Sequence, residues 1–287
     1  MPLNSRMVGT TTREFTHSVD ARWLMAYAAG IGDNNPRYMD TTQGPILAHP
    51  MFPVCLEWPV ILSSRELPGN ESVSSQESAR RVHAAHDLHL YQPIVAGENY
   101  TTQAQIISLS AIRPGAAQVT RFDTRNSRGE LVCQTWHLGI SRGVAIDGEP
   151  GEIETSPAPP DLAGGEPQER AFQIPVVEGL CHIYTETARI FSPIHSDKAY
   201  AKAAGLPDVI LHGTATLALG VTALVNTFAE GDPARVKRIG GRFSGMVLMP
   251  NTLTLEVTAR AGSTYGFRIL ERDGAEVFKA GYITFES

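Results

Sequence analysis

Three short motifs occur twice in this 287-residue chain, in the same order. Asn35-Pro36-Arg37-Tyr38-Met39-Asp40 lines up with Ser192-Pro193-Ile194-His195-Ser196-Asp197. Ala48-His49-Pro50-Met51 lines up with Leu211-His212-Gly213-Thr214, and the run from Tyr91 to Tyr100 resembles the run from Ser244 to Leu253. Ordered repetition of this kind means two copies of one fold unit. The copies have diverged: Tyr38 stands where the second copy has His195.

The stretch 143–168 separates the copies. It is rich in Pro, Gly and acid, shows no apolar periodicity, and reads as an exposed linker. The chain therefore divides into a first unit at 1–142, a linker at 143–168 and a second unit at 169–287. In the first unit Asp20 is placed to cap a helix through Trp23, Leu24 and Tyr27, ended by Gly30 and Gly32. A second helix is predicted over 51–66, disturbed by Pro53 and Pro59. Strand-like runs follow at 81–91, 100–109, 118–124 and 130–141. The second unit repeats this order, with helices over 180–190 and 213–228. Its strands are predicted at 235–244, 252–261, 264–272 and 275–286, the last two joined by an Asp273-Gly274 turn. Leu217, Val221, Leu224 and Phe228 form an apolar stripe, and Ala215, Ala218, Gly220 and Ala223 fill much of the rest. A helix that is apolar or small nearly all round is buried, so a sheet wrapped around it is the expected packing.

Net charge is −6, and the linker carries six of the 30 acids and no Lys or Arg. The remaining 24 acids balance the 24 Lys and Arg, which leaves no basic stripe for nucleic acid. Cys55, Cys133 and Cys181 lie far apart without metal-ligand spacing, so no metal and no cofactor is expected. An odd cysteine count suits a reducing compartment, the N-terminus has no apolar signal core, and no run is long enough to span a bilayer. These features point to the cytoplasm, with no membrane partner.

The chemistry concentrates at 192–216. His195 follows a proline-fixed bend, and imidazole titrates near neutrality, which suits proton transfer. Gly213 opens the apolar helix, where a free amide and the helix dipole stabilise a developing oxyanion. His83, His86 and His89 suggest a metal cluster at first sight. On a regular strand, however, 83 and 89 share a face and 86 points away. Neither a G-x-S-x-G elbow nor a phosphate-binding P-loop is present.

Pro193-Ile194-His195-x-Asp197, Ala204-Gly205-Leu206-Pro207 and Ile210-Leu211-His212-Gly213 together resemble the MaoC-like dehydratases and (R)-specific enoyl-CoA hydratases. Gly32-Asp33-Asn34-Asn35-Pro36 and Ala48-His49-Pro50-Met51 resemble the first half of their double-hotdog members. The resemblance implies an α+β double hotdog, two curved antiparallel sheets each around a long helix. It implies acyl-CoA or acyl-carrier-protein thioesters as substrates, in fatty acid or polyketide metabolism, and reversible hydration of a trans-2-enoyl thioester. With exposed sheet edges it also suggests a homodimer. In the family signature Gly-Asp-x-Asn-Pro-(aliphatic)-His, the histidine falls on His195, the proline on Pro193 and the Asn on Ser192. The Asp falls on Ile190, so the half that keeps the histidine lacks the carboxylate, while the half with Asp33 and Asn35 lacks the histidine. Glu186, one helical turn before Ile190, is the candidate replacement. Catalysis is thus assigned to His195, Gly213 and Glu186, and substrate binding to Ser192, Pro193, His212, Leu217 and Arg242. Within these, Leu217 is placed to line an acyl slot and Arg242 to meet carrier phosphates. A loop-bracing role stands beside His212, and a solvated strand edge beside Arg242. The missing carboxylate also leaves open a thioesterase or a non-catalytic acyl-thioester-binding partner subunit.

Overall fold

The run after His212 forms the helix its apolar girth requires. In the computed structural model, which describes residues 2–70, 74, 77 and 81–286, two successions of elements follow the same plan. The first comprises β1 (Phe15–Val19), α1 (Ala21–Gly30), α2 (Pro36–Met39), α3 (Pro53–Ser64), β2 (Arg81–Leu90), β3 (Glu98–Ile112), β4 (Gly115–Asn126) and β5 (Leu131–Arg142). The second comprises β6 (Glu166–Val176), α4 (Leu180–Ala188), α5 (Lys198–Ala203), α6 (Gly213–Phe228), β7 (Val236–Phe243), β8 (Asn251–Ala261), β9 (Thr264–Leu270) and β10 (Glu276–Phe285).

These strands join in one sheet, ordered β1-β3-β4-β5-β2-β7-β10-β9-β8-β6. Read from either end, the order is the same for each half: first strand, third, fourth, fifth, second. The duplication seen in short motifs is therefore also a duplication of topology, with antiparallel pairing throughout this path. The halves meet at the β2–β7 pair, where Arg238 donates from Nε and Nη2 to the two carboxylate oxygens of Asp87 at 2.8 and 2.7 Å. Paired N–H donors to both oxygens of one carboxylate fix register as well as adding energy.

The sequence-based reading missed the leading strand of each half. Phe15–Val19 is only five residues long, and Glu166–Val176 begins inside the stretch read as linker. That stretch is also tied down elsewhere. Ile146–Asp147 pairs with Leu3–Asn4, Gly151–Glu152 pairs with β3, and Glu154 accepts from Arg121 and Trp136. Strand pairing needs only backbone groups, so a Pro- and acid-rich composition conceals it.

Helix α6 lies against the second-half strands, and its residues from Ala215 to Val225 contribute to the main apolar core. At Gly220 the approach is so close that a Cβ would stand 2.9 Å from Leu255 Cδ1 and 3.0 Å from Ile269 Cδ1. Helix α3 covers the first-half sheet in the same way: Val60 packs with Ala104 and Phe122, and Thr135 donates to the Glu57 carboxylate. Pro53 opens α3 at a position where no amide bond is required, and Pro59 lies within it. Helices α1 and α4 pack across the halves through Trp23 Nε1 donating to the Thr187 carbonyl at 3.0 Å and the Tyr27–Tyr184 hydroxyl pair. Among the described residues no helix is long and apolar enough to cross a membrane. Gly220→Val overpacks the α6–sheet contact and is expected to lower unfolding free energy by about 1–3 kcal/mol. The check is an earlier urea midpoint at an unchanged slope.

Candidate active site

The loop between α4 and α5 carries Pro193–His195 as one 3-10 turn, closed by the His195 amide donating to the Ser192 carbonyl at 3.0 Å. His195 Nδ1 lies 2.8 Å from the Ile210 carbonyl oxygen. A carbonyl only accepts, so Nδ1 carries the proton and Nε2 keeps its lone pair. Burial pulls the His195 pKa down to about 4, outweighing the opposing Ile210 hydrogen bond, so the ring is a neutral base at physiological pH.

The His195 ring stacks on His212 at 3.7 Å between centroids and 24° between planes. His212 is buried, and its Nε2 lies 3.4 Å from both Thr185 Oγ1 and the Ile190 carbonyl. Burial, followed by the neighbouring His195, lowers its pKa well below the usual value. Ile190 thus contributes a backbone oxygen where the family signature has a carboxylate. The next residue, Gly213, is exposed and begins α6. Its amide has no backbone partner among the described residues. The other end of this contact chain is Phe243, whose ring carbons lie 3.0 Å from where a Gly213 Cβ would sit.

His195, His212 and Gly213 therefore come together, with Ser192 in the backbone of the same turn. Pro193 is exposed on that turn, and Leu217 is fully buried one turn into α6. Glu186 is not brought to them. It is exposed on α4, whereas Tyr184, Thr185 and Ala188 form the buried side, and it makes no hydrogen bond to either histidine. The four-residue spacing is real, but the face it selects points outward. Arg242 is exposed on β7 and adjoins Phe243; successive strand residues face opposite sides, which takes its side chain away from Gly213. Asp197 accepts from the Tyr200 amide and caps α5.

The degenerate copy is occupied by structure. Asp33 is buried, accepts from the Asn35 amide, and has its pKa raised by that burial. Asn35 donates to the Gly231 carbonyl at 2.7 Å and to Asn226 at 3.2 Å, pinning the C-terminal end of α6. Tyr38 is fully buried, and His49 accepts from the Met51 amide and reaches Thr222 of α6. A shallow cleft with a volume of only about 20 Å³ opens beside it, lined by residues that include Leu47, His49, Tyr91, Ile94, Pro233 and Lys237.

Sequence reasoning also misplaced the histidines of β2. A register shift between His83 and Ala85 turns the strand, so His83 and His86 share a face, their rings 5.4 Å apart. His83 stacks near His137 at 3.9 Å and meets Phe243 at 4.6 Å. No cluster with metal-binding geometry occurs among the described residues. His83 and His137 thus adjoin the site from the first half through Phe243 of β7, and a bulge is invisible to simple alternation.

Burial lowers the pKa of His49 to about 3, His86 to about 4, His137 to about 3 and His195 to about 4. The unfolded chain takes up protons at these positions below about pH 6.5, while the folded protein does not. Stability is therefore fully present above pH 6.5 and falls as pH drops toward 4. Urea midpoints measured from pH 7 to 4.5 are expected to decline in this window, and His86→Asn to shallow the slope.

Known proteins resemble this chain in sequence and in fold. Residues 163–273 match the family model described as MaoC like domain, and residues 6–135 match the FAS1-like, dehydratase domain region. Enoyl-CoA hydratase 2, peroxisomal, from Arabidopsis thaliana is 24% identical over 94% of this chain and 91% of its own length. The 3-hydroxyacyl-thioester dehydratase Y of Mycobacterium tuberculosis is 24% identical over 96% of this chain and 95% of its own. The crystal structure of a MaoC-like dehydratase from Phytophthora capsici superposes with TM-score 0.86 at 20% identity, over 99% of this chain and 97% of that one. Residues 163–273 thus form a MaoC-like domain and residues 6–135 a FAS1-like dehydratase region, and over nearly its whole length the chain has the double-hotdog fold of MaoC-like proteins.

Proposed function

We propose that the protein adds and removes water across the 2,3 bond of an enoyl or 3-hydroxyacyl thioester carried on CoA or an acyl carrier protein. The observation that carries this reading is the juxtaposition of a neutral His195, stacked on His212, with the free Gly213 amide in the next residue. The curated relatives named for enoyl-CoA hydration and 3-hydroxyacyl-thioester dehydration support the reaction class.

In hydration, the thioester carbonyl accepts from the Gly213 amide. Water attacks C3 as His195 Nε2 takes one of its protons, and the electron pair of the 2,3 bond moves toward C1. The resulting enolate oxygen rests on the Gly213 N–H and the positive end of α6, a contribution of about 3 kcal/mol for one such donor. The imidazolium then returns the proton to C2, which restores neutral His195 and gives the 3-hydroxyacyl thioester. Dehydration is the reverse. Nε2 serves as base and acid in turn because no carboxylate contacts the imidazole among the described residues. Leu217, fully buried beneath Gly213, closes the floor.

The Ile190 position favours a second reading, an acyl-thioester-binding subunit without turnover. Purified protein with trans-2-enoyl-CoAs is expected to bleach the conjugated enoyl-thioester absorbance. His195→Ala is expected to lower kcat by roughly 10²- to 10⁴-fold. Gly213→Val, whose side chain collides with Phe243, is expected to lose at least about 10²-fold. Thioester binding without product, or full activity in His195→Ala, overturns the hydratase assignment.

A further inference from the structure

Beyond Phe243 the contacts continue into the first half. His83, His86 and His137 converge on the inner face of the β2–β5 pair, with His86 directly opposite His137. Both ring nitrogens of the buried His86, and Nε2 of His83, have no hydrogen-bond partner among the described residues. Gln118 of β4, buried opposite Gly139 of β5, spends its amide nitrogen on Thr120, and its carbonyl oxygen has no partner among the described residues. Arg81, on the same strand as His83, lies over Gly139. A Cβ there would stand 3.1 Å from Arg81 Nε and 3.6 Å from His137 Cε1.

The guanidinium makes no hydrogen bond or ion pair among the described residues. Its pKa falls to about 10, through burial first and then the nearby Arg65 charge, so it remains a cation at neutral pH. The nearest acid on the covering helix, Glu57, is engaged by Thr135, and burial raises its pKa to about 7. A half-buried cation with no counter-ion among the described residues, set beside unsatisfied buried polar atoms, is a favourable place for an anionic group to join.

We propose that this group is a subsite for a carboxylate at the far end of the acyl chain, so that the substrate is the half-thioester of a dicarboxylic acid. The inference rests on the hydratase reading of His195 and Gly213. An acyl chain leaving the Gly213 amide crosses Phe243, passes His83 and His137, and ends at Arg81. The guanidinium takes the carboxylate through two parallel N–H bonds, and the neutral histidines and Gln118 complete its hydrogen bonding. Position favours the acyl end over the carrier phosphates. The cluster lies in the layer where Val60 and Phe122 pack under α3, and strongly hydrated phosphates belong at the open mouth.

The test compares trans-2-enoyl-CoAs of equal length ending in methyl or in carboxylate, over medium and long chains. Wild type is expected to prefer the carboxylate series in kcat/KM by roughly tenfold or more. Arg81→Met is expected to lower the carboxylate series at least about tenfold more than the methyl series. Equal or better use of methyl-terminated substrates at every length overturns the subsite and leaves the hydratase reading intact. So does an equal loss on both series in Arg81→Met, the signature of a carrier-phosphate contact. If neither series is hydrated, the hydratase reading fails, and calorimetry with the saturated analogues decides the subsite. Tighter binding of the carboxylate-terminated acyl-CoA, reduced in Arg81→Met, supports it, and equal binding overturns it.

Discussion

Helix α6 is apolar or small on nearly every side, and such a helix is stable in water only when something covers it. The second-half strands do so, closely enough at Gly220 that no side chain fits. Coverage leaves the first turn as the place where its backbone remains available, because the first amides of any helix lack intrahelical partners. Gly213 occupies that turn, next to the stacked histidines. The same burial that stabilises the helix thus aims a dipole and a free donor at one spot.

An oxyanion donor is useful only if it does not move, and the first half holds α6 at both ends. At the N-terminal end, Tyr27 pairs with Tyr184, whose hydroxyl reaches Thr214 at 3.2 Å. At the C-terminal end, Asn35 grips the Gly231 carbonyl and Asn226. The two copies of the motif have divided their labour. The copy that keeps Asp33 and Asn35 uses them as struts, Asp33 buried and Asn35 half-buried, with Tyr38 filling the space where the other copy has an imidazole. The copy that keeps His195 has lost the carboxylate and stays open.

Much of this was readable in the sequence, for identifiable reasons. The ordered repeats revealed the duplication, the apolar girth of 213–228 revealed the buried helix, and Asp20 caps α1 as its position suggests. The convergence of His195 with Gly213 follows from the signature loop. What escaped depends on long-range pairing. The leading strands β1 and β6 carry little alternation and are defined by their partners β3 and β8. The face of Glu186 is set by which side of α4 meets α1, which spacing alone does not specify. His83 and His86 were assigned to opposite faces because one extra residue between His83 and Ala85 shifts the register, and a single-residue slip exchanges faces.

The lost carboxylate changes how the proposed chemistry is shared. Burial that keeps His195 neutral also makes it a weaker base, with a pKa near 4 rather than the usual 6.5. At 1.36 kcal/mol per pKa unit, proton uptake from water becomes harder by about 3 kcal/mol. One well-placed oxyanion donor supplies a contribution of similar size. The imidazolium formed on the way is correspondingly acidic, which favours its return of the proton to C2. A site built this way depends less on an acid–base pair and more on the placement of the Gly213 amide, so the struts around α6 carry a catalytic burden that a carboxylate would otherwise share.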